Sequence, residues 1–332
     1  MKKEVPGRAV HGGTLLWHLR RSGRPVLDFS ANLNPFPPEI PWKPDLSSLA
    51  SYPDDRYEAL REEIGRTFHR KPEEIAVGNG SMEIIRVFCQ AALSRGDGFY
   101  VVDPTFGEYA LSARLAGARE VRDPERAQVR FLCNPNNPTG TLLPADQVRE
   151  EVRQVATRQG TLFLDEAFIE LSDPAQSLAG DRDPALFTLR SLTKAFAVPG
   201  LRFGYGFGDP DLVASMEVLR PPWTVNAFAE QFAILAFRNF HRLEESRKRI
   251  AVEREWLEHQ LRDLGLGPLP SSVNFVIVPL GRPAAPIVAR LLARGILVRD
   301  CASFGLPDAI RVAVRTREEN EQLIGALAAC LP

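Results

Sequence analysis

Residues 190–205 read RSLTKAFAVPGLRFGY, and the remainder of the chain is interpreted outward from them. Ser191 and Thr193 precede Lys194, Pro199-Gly200 turns the chain, and Arg202 opens a strand of Phe, Tyr and Gly. A lysine flanked by hydroxyls and followed by an arginine is poorly placed for a solvated ion pair. It is well placed to condense with an aldehyde whose phosphate is held by Ser191 and Arg202. A nearby cation and an apolar loop lower a lysine's pKa, which is the condition for acting as a nucleophile. The S-x-x-K spacing alone also occurs in penicillin-recognising enzymes, but their partner motifs S-D-N and K-T-G are absent here.

A chain of 332 residues exceeds the comfortable size of one core, so two domains are expected. With 44% hydrophobic and 25% charged residues the composition is that of a soluble globular protein. A formal net charge of −1 supplies no long-range field for nucleic acid or an anionic membrane. The opening MKKEVPGRAV has no apolar signal core, and no run approaches a membrane span. Cys89, Cys133, Cys301 and Cys330 lack C-x-x-C spacing or a histidine cluster, which predicts reduced thiols in a cytoplasmic protein and no metal site.

Upstream of the lysine, apolar runs end repeatedly in polar residues. IAVGNGSMEIIRVFCQAAL (75–93) reads as strand, glycine turn and helix N-terminus, an anion site built from the amides of Gly80, Ser81 and Met82. GFYVVDPTFGEYALSARLAG (98–117) is strand, turn and helix, with Phe106 at the turn. VRFLCNPNNPTG (129–140) is strand then loop. TLFLDEAFIEL (161–171) closes a buried run on Asp165, a carboxylate that is costly to bury without a cation. Such runs separated by helices argue a mostly parallel sheet covered on both faces, with ligands at the strands' carboxyl ends.

Residues 1–45 read as an irregular arm containing His11-Gly12-Gly13 and LDFSANLNPFPP (27–38). SYPDDRYEALREEIG (51–65) is a turn capped by Asp54 or Asp55 and then an amphipathic helix. Helical text runs from about 226 to 264. SVNFVIVPL (272–280), GILVRD (295–300) and IRVAVRT (310–316) are strands of a smaller α+β unit. In the last, strict alternation puts Arg311, Ala313 and Arg315 on one face. The expected division is a large domain at 46–240, and a small domain from 1–45 with 241–332.

These motifs, in this order, resemble the fold-type I aminotransferases that use pyridoxal 5′-phosphate. The resemblance spans nearly the whole chain and implies their α/β fold, with a mostly parallel sheet in the large domain and a smaller α+β domain. It implies that Lys194 carries the cofactor, Phe106 lies on its ring, Asn137 of NNPTG meets its O3′, and Asp165 pairs with its ring nitrogen. Gly80, Ser81, Met82, Ser191 and Arg202 would hold its phosphate, joined by Tyr52 from the other subunit of a homodimer. Asn32, Asn137, His11, Arg299, Arg311 and Arg315 would meet a small phosphorylated amino-acid substrate. Within the family, HGG, DFSANLNP, AVRT and Phe168, where amino-transferring members usually have tyrosine, resemble the threonine-phosphate decarboxylases of cobalamin synthesis. Histidinol-phosphate aminotransferases are the alternative.

Overall fold

The computed structural model describes residues 26–331 together with Gly7, Ala9, Gly12 and Gly23. Seven strands form its main sheet: β2 (Ile75–Gly78), β3 (Gly98–Val101), β4 (Arg119–Glu120), β5 (Val129–Cys133), β6 (Thr161–Asp165), β7 (Leu186–Arg190) and β8 (Gly204–Phe207). They lie in the order β2-β8-β7-β6-β5-β3-β4. Strands β7, β6, β5, β3 and β4 are parallel neighbours, whereas β8 runs antiparallel to both β2 and β7. The carboxyl ends of β2, β3, β5, β6 and β7 therefore share one edge, and the amino end of β8 meets them there.

The sequence explains why the central strands sit inside. β7 is buried at every residue and β6 at all but its first, because both faces are covered. On one face the helix Ser81–Ala92 turns Ile84, Ile85, Val87 and Phe88 onto the sheet, where the Phe88 and Phe163 rings meet at 4.6 Å. On the other face the helices Glu58–Phe68 and Ala227–Arg238 cover Val77, Tyr205 and Phe207. Burying each such side chain stabilises the fold by about 1.5–3 kcal/mol before entropy is counted. β8 passes close to the start of the helix at Ser81: a Cβ on Gly204 would lie 2.4 Å from the Ser81 amide nitrogen.

A second core surrounds a three-stranded antiparallel sheet of β9 (Phe275–Pro279), β11 (Arg299–Asp300) and β12 (Ala309–Ala313), ordered β11-β12-β9. The arm expected to be irregular contributes a strand: β1 (Leu27–Asp28) pairs in parallel with β10 (Ile296–Leu297). The helical text after residue 226 is two helices, Ala227–Arg238 and Leu243–Asp263, because a short 3-10 turn at Phe240–Arg242 interrupts it. Asp54 holds the start of the helix at Glu58, its carboxylate accepting from the amides of Arg56 and Glu58. The four cysteines are free and buried. Among the described residues no helix is long and apolar enough to cross a membrane.

Candidate active site

At the shared edge of the main sheet, facing the three-stranded sheet, lies a cavity of about 320 Å³. Lys194 reaches it from a single helical turn, Leu192–Ala195, directly after β7. The arm braces that turn: the Asn34 amide donates to the Lys194 carbonyl at 3.1 Å, and Asn34 Nδ2 to the Ala195 carbonyl at 2.7 Å. Burial, with Arg311 and Arg202 adding repulsion, lowers the Lys194 amine from 10.5 to about 8. Its Nζ lies 5.9 Å from the Phe168 ring centroid.

Asp165 ends β6 and is buried at 5% exposure. Its carboxylate accepts from the Tyr109 hydroxyl at 2.6 Å and from the Ala167 amide at 2.8 Å. Burial raises its pKa, and the bonds from Tyr109 and Ala167 with the charge of Lys194 act against that rise. Gly80, at φ +80, caps the helix at Ser81, and a Cβ there would lie 2.6 Å from an Arg202 guanidinium nitrogen. Gly80, Ser81, Met82 and Arg202 consequently share one corner of the cavity. Phe106 forms another wall, edge-on to Tyr109 with centroids 5.6 Å apart.

The opposing sheet supplies cations. Arg299 and Arg311 are direct partners in the β11–β12 register, and both line the cavity. Arg311 donates to the Asn137 side-chain oxygen and to the Ser30 carbonyl, while its Nε has no partner among the described residues. Burial, supplemented by repulsion from Arg299, lowers it to about 10. Arg299 donates to Ser303 Oγ at 2.6 Å, and burial lowers its pKa as well. Asn32 also lines the cavity, and its buried Oδ1 has no hydrogen-bond partner among the described residues.

Arg315 and Ser191 do not line the cavity, and Tyr52, expected to serve the site of a second subunit, does not line that of its own chain. Arg315 does not share a face with Arg311, because β12 ends at Ala313 and Asn320 Oδ1 accepts the Arg315 amide. Its guanidinium pairs with Glu319 at 2.6 Å and donates to the Asp28 carbonyl. Ser191 is buried off the cavity, its hydroxyl 2.9 Å from that of Thr193, which lines the cavity instead. Tyr52 is 80% exposed, its ring centroid 4.5 Å from that of Trp223 with the planes tilted by 30°. His11 lies outside the described residues, although neighbouring Gly12 lines the cavity. Sequence reasoning missed Tyr109 and Thr193. The aromatic three residues beyond Phe106 is the available signal for the first, since a turn closed from the Tyr109 amide to the Phe106 carbonyl keeps the two together.

A buried ionic cluster lies directly behind these groups. Arg190, one residue before Ser191, pairs at 2.6 Å with Glu166, one residue after Asp165, and at 2.6 Å with Glu170.

The family model described as aminotransferase class I and II matches residues 24–126 and 120–327. The histidinol-phosphate aminotransferase of Symbiobacterium thermophilum is 32% identical over 354 residues, covering 100% of this chain and 96% of that protein. A protein of Caldanaerobacter subterraneus named "Putative threonine-phosphate decarboxylase" is 33% identical over 325 residues, covering 90% and 88%. The crystal structure of a histidinol-phosphate aminotransferase from Clostridium acetobutylicum superposes with a TM-score of 0.81 at 29% identity, covering 92% of this chain and 98% of that one. The chain belongs to the class I and II aminotransferases, the pyridoxal-phosphate enzymes of the aspartate aminotransferase-like fold.

The residues present fit that cofactor. Asp165 is a buried carboxylate in want of a cation, and a protonated pyridine nitrogen is one. The helix at Ser81, the glycine that leaves room before it and Arg202 can take a phosphate. Lys194 can hold the aldehyde, Asn137 the ring hydroxyl and Phe106 the ring face.

Proposed function

We propose that this chain transfers the amino group of a phosphorylated amine, of the histidinol phosphate kind, with pyridoxal 5′-phosphate as cofactor and Lys194 as the catalytic residue. The observation that carries this reading is the meeting, in one cavity, of a lysine amine lowered to about 8 with the facing guanidinium groups of Arg299 and Arg311. The amine is matched to proton transfer near neutral pH, and the guanidinium pair suits a dianion or two anionic groups on one substrate. The names of relatives over nearly the full chain add weight.

When bound, the cofactor supplies an electron sink for a carbanion at the substrate's Cα. The chain's own residues do the rest. Asp165 keeps a negative charge against the ring nitrogen. Lys194 would hold the cofactor's aldehyde and, once its amine is free, would move the proton at the substrate's Cα. Arg299 grips the substrate phosphate, Arg311 grips a carboxylate or a second anionic oxygen, and this remote binding orients the reacting bond. The Asn32 oxygen, which has no hydrogen-bond partner among the described residues, accepts from the substrate. We read the active unit as a homodimer, in which the exposed Tyr52 faces the phosphate corner of a second copy.

Decarboxylation of threonine phosphate, the reaction of the enzymes that HGG, DFSANLNP and AVRT resemble, is the second reading. One observation favours it: Phe168 presents a ring at the cavity wall beside Lys194, with no hydroxyl to offer the cofactor. The two reactions differ in which Cα bond is turned out of the ring plane. Incubation of the holoenzyme with each substrate alone separates them. Amino transfer from histidinol phosphate converts the cofactor's absorbance once, stoichiometrically, and turns over only after a 2-oxoacid is added. Steady CO₂ release from threonine phosphate, with the absorbance retained and histidinol phosphate inert, would hand the assignment to the decarboxylase.

A further inference from the structure

We propose that Tyr109 is a positioning residue for the cofactor, its hydroxyl fixing the Asp165 carboxylate as the group that faces the ring nitrogen. The inference rests on the pyridoxal-phosphate reading and concerns a residue that neither motif nor family resemblance singled out.

Both oxygens of Asp165 are committed. One accepts the Ala167 amide at 2.8 Å and the other the Tyr109 hydroxyl at 2.6 Å, so the carboxylate cannot rotate without breaking a bond. The tyrosine is itself immobile. It is fully buried, stacked on Phe131 at 5.5 Å with planes 8° apart, and edge-on to Phe106. Its helix, Glu108–Leu115, starts two residues after Phe106, so one short stretch of chain delivers both the cavity's aromatic wall and the clamp on its carboxylate.

The chemistry of the donor matters as much as its place. A phenol can only donate to an ionised carboxylate, and such charge-assisted bonds are short. Burial raises the Tyr109 pKa well above 10, so it keeps its proton throughout the range in which the enzyme can be assayed. The other titratable groups facing Asp165 are Cys133 on β5 and Lys194. Burial pushes the Cys133 thiol upward, which leaves it neutral. Without Tyr109 the carboxylate loses its side-chain donor and gains affinity for a proton, which removes the charge that pairs with a pyridinium nitrogen.

The test compares cofactor binding to the unliganded proteins, wild type, Tyr109→Phe, Asp165→Asn and the double variant. Tyr109→Phe keeps the ring and its stacking, and should bind pyridoxal phosphate about tenfold more weakly, the scale of one lost charge-assisted hydrogen bond. The pH midpoint of the bound cofactor's absorbance should also move. In the Asp165→Asn background the same change should add nothing, because the hydroxyl acts through that carboxylate. If Tyr109→Phe does not fold, 3-fluorotyrosine at position 109 keeps the shape and strengthens the donor. It should move the midpoint, and a midpoint held in place would refute the inference. An unchanged affinity and midpoint in Tyr109→Phe, or an equal loss with and without Asp165, would overturn it. Failure of the wild type to bind pyridoxal phosphate would instead remove the reading on which it rests.

Discussion

Lys194 is a group the fold would be more stable without, and that cost can be measured. Burial with two arginines nearby lowers its pKa from 10.5 to about 8, a difference of about 3 kcal/mol against the charged amine. The sign follows from proton counting. Between pH 8 and 10.5 the unfolded chain keeps a proton that the folded chain has released, so folding stability rises with pH across that window. The penalty is therefore complete below pH 8 and gone above 10.5. Lys194→Met retains the apolar stem and removes the charge. Stripped of cofactor, this variant should be more stable than the wild type at pH 7 by up to about 3 kcal/mol, with the advantage shrinking toward zero by pH 10.5. Urea denaturation of both apoproteins at pH 7, 9 and 10 gives the comparison through the midpoint at constant slope. A companion measurement is the rate at which the apoprotein captures pyridoxal phosphate, which should climb with pH and level off above about pH 8. A variant less stable at pH 7, or a capture rate still climbing past pH 9.5, would show that the lysine is an ordinary solvated amine.

Two further outcomes follow from the cations and from the exposed tyrosine. Arg299→Ala should cost a phosphorylated substrate about 1.5–3 kcal/mol in kcat/KM, while costing its unphosphorylated counterpart far less; equal losses would make the arginine structural. Mixing inactive Tyr52→Phe and Lys194→Ala subunits should restore part of the activity, since one hybrid site retains both residues, and a fully active monomer in dilute solution would disprove donation between subunits.

Much of the site was legible because its groups end apolar runs. Asp165 closes TLFLD and Lys194 follows LFTLR, so in both places a charge stands where strand text stops. Gly80 was legible through its turn, and Asn137 through the resemblance that NNPTG carries. Tyr109 was not, because a tyrosine on an amphipathic helix reads as packing and its partner lies 56 residues away. Arg315 was misplaced by extending a period of two past the real end of β12, where Asn320 captures the backbone. The strand at Leu27–Asp28 is two residues long, too short to carry any periodicity, and its pairing comes from a partner far along the chain. The Arg190–Glu166–Glu170 cluster could have been anticipated. A charge embedded in a fully buried run must meet its opposite, and Glu166 directly follows Asp165 while Arg190 directly precedes Ser191.

The segment 27–34 works as a ruler. At one end Phe29 donates its amide to the Leu297 carbonyl on β10 and accepts from the Ala313 amide, which fastens it to the strand of Arg311 and to the strand just before Arg299. At the other end Asn34 is tied to the carbonyls of Lys194 and Ala195. Few residues separate the two moorings, so their count sets the gap between nucleophile and anion grip, and adding or deleting one would change the span by up to about 3.3 Å. Hydrogen bonds tolerate far less than that. Asn34 apart, side chains along this stretch can drift with little consequence for the gap, whereas its length cannot, and a chain that evolves to take a longer substrate has to lengthen here or give up one of its two moorings.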